Sequence, residues 1–382
     1  MGFIITLAFK NLSRYRRRTI ITAVAIAAGV SMYIFVDGWL QGAQNDSVRN
    51  LVKFETGSAR VMDKKYWEEH DYLLPKYDIA DPTPAEAALE KAGYLVAPRV
   101  TIFAEAAKTG GAGESFTLQV AGIDPARDGK IFDFANALTP KGAAYLTAGR
   151  PEIMLGSDAA DRLGAGLNDS VRLTTRTKDG VWTSLETRVV AILSTPDPIV
   201  NNVMGFVPLD ALQNALQMGG GVTDIVVGFP EWLNPDKETA KINALLSTLP
   251  DSAGMSAHSF NDLAPEFSQI AQSKSGGTKV ILFLIFIIAA IGISNTVLMA
   301  VYERFREIGM MRALGMKNGA VMWCFIVEAL GIGLIGALAG VALGVLLDLY
   351  MVNVGIDLTP LLKNMGNIGY RILGVSKSSW NP

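Results

Sequence analysis

The chain has 382 residues, 50% of them hydrophobic, with 34 Lys and Arg against 36 Asp and Glu, and its mean hydropathy is +0.29. That balance is too apolar for an ordinary soluble protein and too polar for one lying wholly in a bilayer, so membrane-spanning and water-exposed parts are both expected. A net charge of −2, without a basic stripe carrying interleaved aromatics, argues against a nucleic-acid partner. The single cysteine, Cys324, leaves no disulfide framework.

Residues 1–18 place Ile4, Leu7, Ala8, Leu12 and Tyr15 on one helical face and Lys10, Ser13, Arg14 and Arg17 on another. This is the pattern of an interfacial helix, with a plain basic flank as the competing reading. Three apolar windows then approach or exceed the roughly 20 residues needed to span hydrocarbon: 19–36, 280–301 and 321–347. Arg14, Arg16, Arg17 and Arg18 before the first window would also suit a signal peptide. The apolar run, however, exceeds the about 7–15 residues of a signal core, and no A-x-A-like cleavage site follows. Lys and Arg bias puts this cluster and Arg304, Arg306, Arg312 and Lys317 on the cytoplasmic side, which leaves residues 41–277 outside.

The outer region reads as α+β in two subdomains. Strands are expected over 171–177, 186–193 and 224–228, and a helix over 208–218. Asn234 and Pro235 have the character of an N-cap and first helical residue, opening a helix to about Leu249. Residues 41–54 and 261–274 are helix-compatible and could extend the flanking spans outward as stalks. Gly276 and Gly277, at the base of the second stalk, each weaken a helix by about 1 kcal/mol and suit a hinge; a simple kink or loop fits equally.

No residues with catalytic, cofactor-binding or metal-binding roles emerge. The phosphate-cradling pattern G-x-x-x-x-G-K-[ST] is absent, and Gly110-Gly-Ala-Gly113 reads as a hairpin turn. His70 and His258 lack metal-ligand spacing, and Asp158, Asp161 and Asp169 read as a solvated surface. The segment after the second apolar window differs in kind. Glu303 and Arg306 are three apart on a helix, and Phe305, Ile308 and Met311 form an apolar stripe. Two glutamates, Glu303 and Glu307, and two glycines, Gly309 and Gly315, exceed what topology alone requires, so a helix contacting a partner is expected. In the third window Gly336, Gly340 and Gly344 recur every four residues after Gly331 and Gly333, letting another helix approach closely. Glu328 is costly in hydrocarbon and is by default a functional candidate. It lies only seven residues from Val321, about 10 Å by helix rise, which favours a structural place near the interface.

The stretch Glu303-Arg-Phe-Arg-Glu-Ile-Gly-Met-Met-Arg-Ala-Leu-Gly315, with Glu328 and the glycine ladder, resembles the FtsX-like permease domain of mechanotransmitting (type VII) ABC systems. Asn11-Leu12 with residues 14–19 resembles that family's amphipathic first helix. Pro151-Glu-Ile-Met-Leu-Gly-Ser-Asp-Ala-Ala-Asp-Arg-Leu-Gly164 with Val171-Arg-Leu173 is similar to the MacB-like periplasmic core domain. The resemblance implies a helical transmembrane domain of four spans plus an α+β periplasmic core. It divides the chain into 1–18 cytoplasmic helix, 19–40 first span, 41–277 outer core with stalks, 278–302 second span, 303–319 coupling helix, 320–348 third span, and 349–382 an outer tail. That tail contains no adequate apolar run for the fourth span, which suggests a truncated gene product, an engineered one or an incomplete chain.

The same resemblance implies a dimer with a second permease copy or paralogue, and a separate cytoplasmic ABC ATPase dimer holding ATP and Mg. Glu303, Arg304, Arg306, Glu307, Gly309, Arg312 and Gly315 would contact that ATPase, and Glu328, Gly336, Gly340 and Gly344 would pack within the membrane. Glu55-Thr-Gly-Ser-Ala-Arg-Val-Met62 followed by Tyr66 resembles an early strand of lipoprotein-releasing Lol-type permease subunits. The expected function is therefore extraction of lipoproteins from the bacterial inner membrane toward a periplasmic carrier, with membrane lipid as surroundings. MacB-type efflux of a drug or peptide, and FtsX-type control of a cell-wall hydrolase, are the alternatives.

Overall fold

The computed structural model describes residues 16–110, 114–250, 252, 254–265, 301–357 and 375–379, with scattered positions between 276 and 299. It divides into two compact units. One comprises residues 1–45, 270–361 and 374–382, the other 46–269 and 362–373. Helix α1 (Arg16–Leu51) ends in a π-helical turn, Val52–Thr56. The expected interfacial helix over 1–18 lies outside the described residues up to position 15.

In the second unit, strands β1 (Ala59–Asp63), β2 (Leu95–Lys108), β3 (Phe116–Ile123), β4 (Leu138–Thr139), β5 (Glu152–Gly156), β6 (Ser170–Arg176), β7 (Trp182–Leu193), β8 (Met204–Pro208), β9 (Asp224–Gly228) and β10 (Met255–Ser259) form one mixed sheet. Their order is β10-β1-β9-β2-β3-β8-β5-β7-β4, and β6 pairs with both β2 and β7. The expected separation into two subdomains is corrected by β2. Its 14 residues pair with β9 over Leu95 to Arg99, with β3 over Arg99 to Ala106 and with β6 over Glu105 to Lys108, so one strand holds both ends of the sheet. Two apolar clusters lie on this sheet. Leu89, Ile102, Leu118 and Ile225 belong to one, and Phe132, Phe134, Leu193 and Phe206 to the other.

Helices α2 (Thr83–Lys91) and α3 (Ser157–Leu163) contribute Leu89 and Leu163 to the first cluster. Helix α4 (Leu209–Leu216) stops because Gln217 takes a left-handed conformation, φ +57°, before the positive-φ pair Gly219 and Gly220. Helix α5 (Pro235–Leu246) is capped by the Asn234 side chain, which accepts from the Lys237 N–H at 3.0 Å. It ends three residues before Leu249, where the Ser252 hydroxyl donates to the Leu246 carbonyl and closes the turn.

In the first unit, the described positions between 276 and 303 are helical. Helices α6 (Phe305–Ala313) and α7 (Asn318–Asn353) follow. Among the described residues two helices are long and apolar enough to cross a membrane, Thr19–Thr56 and Asn318–Asn353. Within the expected span at 278–302 the described positions are helical, and the others lie outside the described residues. Residues of α7 pack directly on α1. A Cβ on Gly336 would stand 2.9 Å from the Ala23 carbonyl, one on Gly340 2.8 Å from the Ala27 carbonyl, and one on Gly344 3.0 Å from Ile34 Cβ. The absent side chains thus set a backbone-to-backbone approach that lipid alone would not drive. At the other end of this pair, β11 (Ile356–Asp357) pairs with β12 (Val375–Ser376). The Trp39 indole N–H donates to Ser376 Oγ at 3.2 Å, and the Ser378 hydroxyl donates to the buried Asp348 carboxylate.

Replacing Gly340 with Leu overpacks this seam and is expected to lower the stability of the detergent-solubilised chain by about 1–3 kcal/mol. Gly333→Leu, where a Cβ meets nothing within 4 Å, should change it little. Thermal unfolding of the two variants side by side measures the difference.

Candidate functional site

The charged segment does not form one helix from 303 to 319. Glu303 closes the preceding helix, Arg304 leaves helical geometry at φ −100° and ψ 16°, and α6 begins at Phe305. Beyond the nine residues of α6 the chain turns at Gly315, φ +89°, a left-handed conformation that favours glycine. The Gly315 N–H donates to the Arg312 carbonyl at 3.0 Å and the Met316 N–H to the Met311 carbonyl at 3.1 Å, which uses the carbonyls of the last turn. Lys317 then precedes α7.

Glu303, Arg306, Gly309, Arg312 and Gly315 do not share one environment with Glu307, Ile308 and Met311. Glu303, Arg306, Gly309, Arg312 and Gly315 are exposed, while Glu307, Ile308 and Met311 are half-buried. Phe305, expected to share a stripe with Ile308 and Met311, is instead 70% exposed, and Leu314 is 82% exposed. The accessible surface of α6 and its C-terminal turn therefore mixes two arginines with Phe305, Met310 and Leu314. Such a mixture resembles the anchor-and-charge composition of protein interfaces more than a solvated loop.

Arg304 does not belong to that surface. It is 5% exposed, and its Nη1 donates to Glu328 Oε2 at 2.8 Å while its Nε donates to Glu307 Oε2 at 2.9 Å. Its guanidinium carbon lies 5.6 Å from the Phe325 ring centre. Burial works against its charge, yet the hydrogen bonds and charges of Glu307 and Glu328 outweigh that and hold its pKa above the ordinary value. The expectation that Arg304 faces a partner is corrected by this burial. Glu328, expected beside the interface, is equally buried on the inner face of α7, one turn from the buried Cys324. Gly276 is helical and a Cβ there would meet nothing within 4 Å; Gly277 lies outside the described residues.

A second polar centre escaped the sequence reading. Where the π-helical turn meets β1, Arg60 Nε donates to the Thr56 carbonyl at 2.9 Å and Nη2 to the Glu55 carbonyl at 2.6 Å. A cation thus sits on the last carbonyls of the long helix, where the helix end is negative. Arg60 Nη1 also lies 3.4 Å from Asp224 Oδ2. Asp224 Oδ1 accepts from the hydroxyls of Thr223 at 2.7 Å and Thr101 at 3.1 Å. Nearby, Arg99 and Asp128 form a fully buried pair, with Nε and Nη2 donating at 2.8 and 2.9 Å. The only sequence signal was a charged residue set against apolar neighbours in each of two strands, Arg60 between Ala59 and Val61 and Asp224 before Ile225.

Two family descriptions match the chain, the MacB-like periplasmic core domain over residues 19–246 and the FtsX-like permease C-terminal over 279–375. The first alone covers more than half of the sequence. The chain belongs to the FtsX-like/MacB-like permease family. The FtsX-like part takes in α6, Arg304, Glu328 and the glycine ladder, and the MacB-like part runs from α1 through the sheet into α5. The lipoprotein-releasing system transmembrane protein LolC of Neisseria meningitidis is 25% identical over 241 residues, 62% of this chain and 57% of that protein. The macrolide export ATP-binding/permease protein MacB of Escherichia coli is 22% identical over 358 residues, 88% of this chain and 51% of that protein. The chain thus spans about half the length of these curated relatives. The crystal structure of the periplasmic region of MacB from Actinobacillus actinomycetemcomitans overlaps 58% of this chain and 98% of its own, at a TM-score of 0.39 and 16% identity.

Within the MacB-like part, Arg60→Ala would leave Asp224 buried without its cation, at a cost of about 3–5 kcal/mol. Thermal unfolding and amide hydrogen exchange over residues 52–60 should show the sheet unit destabilised and the π-helical turn deprotected.

Proposed function

We propose that the chain is the permease subunit of a mechanotransmitting ABC transporter in the bacterial inner membrane. In this reading the N-terminus and α6 face the cytoplasm and the sheet unit faces the periplasm. The observation that carries it is the accessible α6 surface, a nine-residue helix between apolar segments presenting Arg306, Met310 and Arg312, with Leu314 in the turn that follows it. A separate cytoplasmic ATPase dimer, holding ATP and Mg²⁺, docks on that surface, and a second permease copy or paralogue completes the assembly. The work done is extraction of lipoproteins from the inner membrane for a periplasmic carrier, a reading supported by the likeness to LolC. MacB-type efflux of a drug or peptide is the second reading, favoured by the longer stretch of this chain that aligns with the macrolide exporter.

Isolation of the full chain from its native membranes should recover an ABC ATPase and a second permease copy or paralogue. Arg312→Glu should reduce the recovered ATPase about tenfold or more, equivalent to at least about 1.4 kcal/mol of binding, with the permease itself unchanged in amount. Depletion should strand lipoproteins in the inner membrane. Normal lipoprotein delivery with altered macrolide tolerance would instead select efflux, and absence of any ATPase in the isolate would contradict the transporter reading.

A further inference from the structure

The seven residues of the charged segment do not all do the same thing, and Arg304 is set apart by its geometry. It is buried, it lies in the bend before α6, and it is held by carboxylates from two different helices, Glu307 of α6 and Glu328 of α7. A nine-residue helix is too short to be stable alone in water. With Phe305, Met310 and Leu314 exposed, α6 has little apolar burial to compensate. Its two ends are also the places where the chain leaves helical geometry, at Arg304 and at the left-handed Gly315. Without a further constraint, a push on α6 would bend it at those two points and go no further.

We propose that Arg304 and Glu328 form a latch that makes α6 move as one body with α7, Arg304 being a positioning residue that touches no partner. Glu307 ties the same guanidinium to the first turn of α6, so one cation bridges both helices. A buried pair is well suited to this role. Separating it draws the buried Glu328 carboxylate of α7 away from the guanidinium that faces it, which is far costlier than flexing an exposed loop. The inference rests on the reading of α6 as the docking helix, but its physical content, that the pair closes α6 onto α7, is measurable in the permease without any partner.

Cys324 supplies the probe. It is the only cysteine of the chain, it is buried, and it precedes Glu328 by one turn on the same face of α7. In the full chain in lipid nanodiscs, Arg304→Gln and Glu328→Gln should each raise the rate of Cys324 alkylation by N-ethylmaleimide by about tenfold or more, as expected when a closed contact opens locally. The exchanged pair, Arg304→Glu with Glu328→Arg, should return the rate toward that of the unaltered chain. The exchange keeps one guanidinium, now carried by α7, facing two carboxylates, the introduced one in the bend and Glu307. Amide hydrogen exchange over residues 305–313 should follow the same order. Recovery of the ATPase should survive Arg304→Gln but not Arg312→Glu. Unchanged alkylation and exchange in Arg304→Gln would overturn the latch, as would an exchanged pair that stays as reactive as the single variants. Loss of the ATPase in Arg304→Gln with alkylation unchanged would return Arg304 to the docking surface. A failure of Arg312→Glu to affect the ATPase would count against the docking helix alone, since the alkylation result decides the latch separately.

Discussion

The rest of the first unit depends on the close approach of α7 to α1. Two apolar helices in lipid gain nothing from hiding apolar surface, so their association has to come from packing and from the absence of side chains at the contact. Gly336, Gly340 and Gly344 supply that absence, and Ala23, Ala27 and Ile34 of α1 fill it. Because the contact involves backbone atoms on both sides, it tolerates little sliding. A displacement of α7 along or about its axis has to carry the facing part of α1 with it or break the seam.

Charge is used sparingly and at ends. Arg304 closes the short helix α6 onto α7 through Glu328, and Arg60 closes the last turn of α1 through the Glu55 and Thr56 carbonyls and Asp224. Each is a guanidinium placed where a helix stops or starts, and each is buried with a carboxylate partner. Arginine suits both places because its planar fork donates in several directions at once, which a lysine ammonium on a flexible stem does less well. Such pairs add little net stability compared with apolar packing, but they are costly to separate one partner at a time. They therefore fix geometry more than they strengthen the fold.

Much of the local structure was legible in the sequence because it depends on short-range chemistry. Asn234 with Pro235 specified the start of α5, the alternation from Val171 to Thr177 and the β-branched run from Glu186 to Leu193 fall on strands β6 and β7, and the four-residue spacing of glycines pointed to a close helix contact. What stayed hidden depends on tertiary partners. Nothing in the spacing of Arg304 revealed that it would face Glu328, 24 residues away, since on an ideal helix from 303 to 319 it would have been one more surface arginine. Continuity of the sheet through β2 likewise depends on pairing with three other strands, two of them distant in sequence, and no local pattern encodes that. Arg60 and Asp224 could have been flagged as charged residues in apolar strands, yet their pairing comes only from β1 lying beside β9.

The central claim is that the accessible surface of α6 receives a nucleotide-hydrolysing partner while the Arg304 bend holds to α7. A photo-crosslinking phenylalanine analogue placed at Met310 or Leu314, in cells that express the full chain, tests it most directly. Both positions should yield an adduct with an ABC ATPase, whereas the same analogue at Val24, exposed on α1, should yield none. Adducts of the ATPase absent at both of the first two positions, or present equally at Val24, would contradict the account.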